Sequence, residues 1–148
     1  MIWACFGANG IGDITIIEGT MDKYVYCDIL NNHLRSSAKK IGMKRGWMFL
    51  HDNDPKHTSN IVRSELQKMK IKVVNHPPQS PDMNPIENLW DYVDRRITIT
   101  NRATIDTLIQ AIKREWSKIP RDYCMKLVMS MPKRIDELHR FNGRATHY

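Results

Sequence analysis

Residues 47–90 read as strand, helix, strand, helix, and no other stretch restricts the fold as much. Trp47-Met48-Phe49-Leu50 is an unbroken apolar run, the pattern of a strand covered on both faces, and it delivers His51-Asp52-Asn53 at its carboxyl end. Asp54 and Pro55 then start a helix with Val62, Leu66 and Met69 on one face. That helix carries the chain back, so that residues 71–74 can lie parallel to the first strand. Asn84 and Pro85 open the next helix as N-cap and first helical residue, which puts Glu87 on its first turn. Open α/β sheets hold ligands at the carboxyl ends of their strands, so Asp52 stands where a ligand is expected.

A strand-tip Asp and a helix-borne Glu that converge suit Mg²⁺ or Mn²⁺, hard cations whose preferred ligands are carboxylate and water oxygens. Two such ions activate a water and stabilise a leaving phosphodiester oxygen. The same residues also have structural uses. Glu87 stands three after Asn84, the spacing of a capping box. Asp54 before Pro55 is an ordinary N-cap, and Asp52 alone is compatible with turn chemistry. Spacing alone favours the structural reading.

The wording around these residues adds more. D-N-D-P-K-H-T-S at 52–59, followed by S-P-D-M-N-P-I-E-N-L-W at 80–90, resembles the DDE domain of mariner-superfamily transposases of the Tc-type branch. M-I-W-A-C-F at 1–6, I-E-G-T-M-D at 17–22, S-M-P-K-R at 130–134 and the terminal residues 143–148 look like that family's later blocks, so the resemblance runs through the whole chain. It implies a ribonuclease-H-like α/β domain with C-terminal helices. Asp52 and Glu87 match the family's second and third catalytic carboxylates, both of them metal ligands, with two Mg²⁺ or Mn²⁺ ions in the complete site. Asn53, Asp54, Lys56, His57, Asn84 and Asn88 are the candidate neighbours of that site.

The implied activity is cut-and-paste DNA transposition, in which a phosphodiester is hydrolysed at the element end and the freed 3′ hydroxyl attacks target DNA. The implied partners are double-stranded DNA at transposon ends and target, and a second subunit, either as a homodimer or as full-length transposase. The implied compartment is the nucleus. The family's first catalytic Asp lies on a strand ahead of the block with which residue 1 coincides, so the expectation is a domain truncated at its N-terminus with the first strand missing. The alternative is a catalytically dead transposon remnant that only binds DNA or pairs with other subunits. Lesser departures from the family are Ala4 for Gly, His51 for Gln, Met83 for Leu and His76 for Trp.

The remaining residues suit one partial domain over 1–148, with a hairpin at 1–19, the Asp/Glu core at 47–97 and C-terminal helices at 102–140. Residues 2–6 and 13–18 flank A-N-G-I-G, a hairpin connection, and Asp13 beside Gly12 reads as turn chemistry rather than as a stand-in for the missing carboxylate. Tyr26, Ile29, Leu30, His33 and Leu34 form an amphipathic helical stripe that Gly42 or Gly46 ends. In the Glu87 helix, Ile86, Leu89, Trp90, Val93 and Ile97 face the core while Glu87, Asp91 and Asp94 lie elsewhere. Ile105, Leu108, Ile109, Ile112, Trp116 and Ile119 mark a further helix ended by Pro120, and a last one is expected to kink or break at Pro132.

A formal charge of +7 favours an anionic partner. The basic residues are spread along the chain, however, and a solvated face accounts for them equally well. Three cysteines without close pairing fit neither a disulfide framework nor a Cys-based zinc site. His51, His57 and His76 lack zinc-ligand spacing. No apolar run is long enough to span a bilayer.

Overall fold

The computed structural model describes residues 1–74 and 83–140. His76, the P-Q-S-P-D segment and the terminal block at 143–148 lie outside the described residues. Strand β1 (Ile2–Gly7) turns through Ala8 and Asn9 into β2 (Gly10–Ile16), and the two pair antiparallel. The register slips between Ala4, opposite Ile14, and Phe6, opposite Ile11, so Gly12 and Asp13 together face Cys5. That is a β-bulge. Gly12 and Asp13 therefore belong to a strand interior and not to the turn expected from their sequence. The bulge sends the Asp13 N–H to Ser37 Oγ at 2.9 Å, and Gly12 C=O accepts from Trp116 Nε1 at 3.4 Å.

Helix α1 (Lys23–Ile29) is capped by Asp22, whose carboxylate accepts from the Tyr24 and Val25 N–H groups at 2.8 and 2.9 Å. A π-helical turn (Leu30–Leu34) leads into α2 (Arg35–Lys40). Gly42, at φ +65°, ends it: its N–H reaches Lys39 C=O while the Met43 N–H reaches Ala38 C=O. This pair of bonds is a Schellman motif, which needs the left-handed residue that glycine supplies.

Strand β3 (Met48–Phe49) runs parallel to β4 (Lys72–Val73), joined by α3 (Asn60–Lys68). The crossover matches expectation, but two details do not. Met48 is 62% exposed, so the strand is covered on one face only. The helix starts at Asn60 under a Ser59 cap and not at Asp54-Pro55, because the Asp54 carboxylate accepts the Lys56 N–H at 3.0 Å and winds 54–57 into a turn.

Helices α4 (Ile86–Asp94), α5 (Ile105–Ser117) and α6 (Arg121–Arg140) follow. Thr104 and Thr107 form a reciprocal capping box at the start of α5. Ile105, read as core, is 76% exposed because the box places it on the outer face of the first turn. Helix α6 is not broken at Pro132 but runs through it. Buried residues on both sides, Cys124, Leu127 and Arg134, keep the helix packed across the missing N–H.

The strands form two separate two-stranded sheets among the described residues, yet one strand organises both cores. Side chains alternate along β1. Trp3 joins the cluster of Tyr26, Leu30, Phe49, Val62 and Leu66, with Cys5 packed beside it. Ala4 joins Leu89, Val93, Ala111, Trp116 and Cys124, with Phe6 packed beside it. Helices α1 and α3 thus cover one face of β1, and α4, α5 and α6 the other.

Candidate functional site

Asp52 follows β3 at its carboxyl end, and its side chain is 51% exposed. Its Oδ1 accepts from the Asp54 N–H at 3.3 Å and from His57 Nδ1 in a shorter contact. His57 is well anchored, with only 13% of its side chain exposed and its ring 4.0 Å from that of Tyr26. Tyr26 in turn is 1% exposed, and its hydroxyl meets His51 Nδ1 at 3.0 Å. The rings of His51 and His57 lie near-parallel, 5.9 Å apart. Burial, and then the negative charge of Asp52, push the Tyr26 phenol far above its ordinary value, so it stays a neutral hydroxyl at any working pH.

Glu87 sits on the first turn of α4, where its N–H bonds to Asn84 C=O at 3.1 Å. Pro85, not Asn84, takes the cap position, and no side chain caps this end. Its carboxyl titrates above the usual carboxylate range, first because burial opposes its charge and then because the charge of Asp52 reaches it. The charge of Asp52 thus acts on Glu87, second to burial.

The other sequence candidates divide. Asp54 holds the Lys56 ammonium, and although burial opposes its charge, the Lys56 side-chain and backbone donors keep its carboxyl below the usual range. Lys56 is thereby committed to Asp54. Asn88 turns to α6, its Oδ1 accepting from Arg134 Nη2 at 2.8 Å. Asn53 lines a cleft of about 470 Å³ with His51, His57 and Arg63. A second cleft, about 610 Å³, runs from Glu87 past Ile2, Trp90 and Leu108. Glu87 lines the second cleft, and Asp52 lines neither. Asp13 is bound to Lys40 at 3.0 Å and to the α2 side of the hairpin.

Two residues escaped sequence reading. Tyr26 reads as one more apolar position on a helical stripe, and nothing in that periodicity shows that it braces two imidazoles. Arg134 is 1% exposed, with Nε donating to Ser130 Oγ at 2.9 Å, and it ties α6 to the residue beside Glu87. A lone Arg in S-M-P-K-R carries no signal of burial.

Two hard-oxygen donors, open to water and under mutual repulsion, fit a divalent cation that keeps several waters. No group of three or more potential ligands is assembled among the described residues, so they do not form a closed cage. Asp52 and Glu87 are the residues that would hold the ion.

Comparisons with known proteins bear on family and fold. The Tcb1 transposase of Caenorhabditis briggsae is 36% identical over all 148 residues, and the Tc1 transposase of Caenorhabditis elegans 37%. The chain spans about half the length of these curated relatives, 54% of each. The solved catalytic domain of Mos1 transposase with raltegravir and manganese superimposes with a TM-score of 0.83 at 18% identity, covering 99% of this chain and 76% of that one. A Mos1 paired-end complex with the left transposon end gives a TM-score of 0.86 at 20% identity, covering 97% and 44%. The fold is therefore ribonuclease-H-like, as the resemblance implied. The family model of the DDE superfamily endonucleases matches residues 3–117, most of the chain and every element that carries the carboxylates, and the chain belongs to that family.

Proposed function

We propose that this chain is the catalytic part of a DNA transposase, in which Asp52 and Glu87 hold Mg²⁺ or Mn²⁺ for phosphodiester hydrolysis and strand transfer. The observation that carries this reading is the placement of Asp52 beyond the carboxyl end of β3 and of Glu87 on the first turn of α4, with the charge of Asp52 adding to burial in raising the Glu87 pKa. Transposases more than a third identical over the whole chain support it. A bound divalent cation would supply positive charge to the phosphodiester oxygens and a more acidic water. The protein's own task is then positional: Asp52 presents a carboxylate from the strand end, Glu87 presents one from the helix start, and the repulsion between them is relieved when they share a cation. In-line phosphoryl transfer needs little more from side chains than this.

A Mos1 structure holding a transposon end supports duplex DNA as the substrate here, and the net charge of +7 suits such a partner; pairing of two copies of this chain belongs to the same proposal. The nucleus is the compartment this reading requires.

The test is duplex binding with and without Mn²⁺. Binding should fall steeply with salt, strengthen on adding Mn²⁺, and lose that increment in Asp52→Ala and in Glu87→Ala. Binding that is salt-dependent but indifferent to metal and to both substitutions would overturn the catalytic reading in favour of a module that only binds.

A further inference from the structure

Outside the two carboxylates, the most organised polar group near the site is the Tyr26–His51–His57 stack, and the reading above leaves it without a task. His57 is the member that touches Asp52, through Nδ1 to Oδ1. A carboxylate only accepts, so Nδ1 carries the proton in this contact. At the other end of the ring, Nε2 is buried and has no hydrogen-bond partner among the described residues. A buried N–H left unpaired costs far more than a bare lone pair, so the Nδ1–H tautomer is the one the surroundings favour. The ring cannot swing readily, because Tyr26 packs against it at 4.0 Å and Tyr26 is itself fixed by burial and by its hydrogen bond to His51.

We propose that His57 is a positioning residue for Asp52: its Nδ1–H ties down Oδ1 and leaves Oδ2 as the oxygen presented to a divalent cation. The inference rests on Asp52 being a metal ligand. Such outer partners fix the orientation of a ligand and typically change metal affinity about tenfold to a hundredfold when removed. The Asp54 N–H at 3.3 Å approaches the same Oδ1, so both donors act on one oxygen and the second stays free of them. Tyr26 and His51 serve to hold the imidazole, not the carboxylate.

The experiment is Mn²⁺ affinity of the full chain, read by electron paramagnetic resonance, with thermal melting of each metal-free variant alongside. His57→Phe keeps an aromatic ring on Tyr26 and deletes the donor, and it should weaken Mn²⁺ binding at least about tenfold. His57→Asn places an amide N–H where Nδ1–H was and should recover most of that loss. Nitrogen NMR of the metal-free chain should show His57 as the Nδ1–H tautomer. Wild-type affinity in His57→Phe, or failure of His57→Asn to rescue while melting like wild type, would overturn the proposal. Should Asp52→Ala itself leave Mn²⁺ affinity unchanged, or should the wild type bind no Mn²⁺, the metal-ligand reading falls and this one with it. Loss in Asp52→Ala beside no loss in His57→Phe sinks only the role of His57.

Discussion

Gly12→Ala should be among the most damaging single-methyl additions to this chain. An ideal Cβ at Gly12 would lie 2.6 Å from Cys5 Sγ, 2.8 Å from Ser37 Cβ and 3.0 Å from Cys5 O. Carbon contacts are optimal near 3.5–4.0 Å, so the first two overlaps approach about 1 Å. The Cys5 thiol can rotate aside for about 1 kcal/mol. Ser37 cannot: it is fully buried, it is held on α2, and its Oγ accepts the Asp13 N–H at 2.9 Å. Cys5 O is backbone. Relief therefore requires β2 and α2 to separate, and Gly12 C=O is also the acceptor for the Trp116 indole, so α5 is disturbed as well. Overpacking of this kind costs about 3 kcal/mol, the upper end of its usual range. For a chain of this size that corresponds to a melting temperature lower by about 6–12 °C. Thermal melting followed by tryptophan fluorescence measures it. In the double variant Cys5→Ala/Gly12→Ala, the thiol's share of about 1 kcal/mol should return and the Ser37 share remain. A fall of less than about 2 °C in the single variant would mean that β2 and α2 part easily, and would refute the reasoning.

The pH dependence of the metal-free chain should carry the mark of Glu87. Because its folded pKa is raised, its charged form penalises the folded state fully above that value, and the penalty fades as pH falls toward the unfolded carboxyl value of about 4.3. Glu87→Gln should therefore be more stable than wild type at neutral pH without metal, with the difference shrinking on acidification; equal stability of the two at pH 7 would refute this. Asp54 has the opposite sign: its lowered pKa contributes stability that is present above about 3.9 and lost as pH falls through the folded value, so Asp54→Asn should flatten the acid limb of the stability curve. Arg134→Met keeps the buried stem but deletes the donors to Asn88 and Ser130, and should cost about 3 kcal/mol by urea denaturation. Arg134→Lys should not restore it, since an ammonium lacks the planar fork.

The parts of the fold legible in the sequence are those set by local pattern. The hairpin, the parallel crossover from β3 to β4, the Gly42 stop and the apolar stripes of α4 and α5 all follow from alternation, period and turn chemistry within a few residues. What the sequence hid depends on partners distant in the chain. The bulge at Gly12-Asp13 is stabilised by Ser37 and Trp116, and no local residue announces either. Asp54 and Ser59 are both good caps, and the choice falls to Ser59 because Lys56 claims the Asp54 carboxylate. Trp47-Met48-Phe49-Leu50 looks doubly covered, yet Met48 meets solvent, since an apolar run reports composition and not which neighbours arrive. For the candidate site, the motif words supplied Asp52, Glu87 and His57, but not which of their neighbours are free. Only the structure shows Lys56 taken by Asp54 and Asn88 by Arg134.

The two carboxylates come from elements packed on opposite sides of β1. Asp52 extends from β3, whose Phe49 packs with Trp3 on one face of β1. Glu87 extends from α4, whose Leu89 and Val93 pack with Ala4 on the other face. The alternation of a single strand thus fixes both cores, and each core carries the element from which one carboxylate extends. The charge of Asp52 adds to burial in raising the Glu87 pKa, while each element is anchored by its own apolar cluster. The same arrangement makes the separation of the carboxylates sensitive to either core. A cavity on the Trp3 face should move Asp52, and one on the Trp116 face should move Glu87 through Trp90, whose ring lies 5.0 Å from that of Trp116. Both changes should weaken divalent-metal binding even though neither touches the site, because a small, hard cation tolerates little change in the placement of its oxygens.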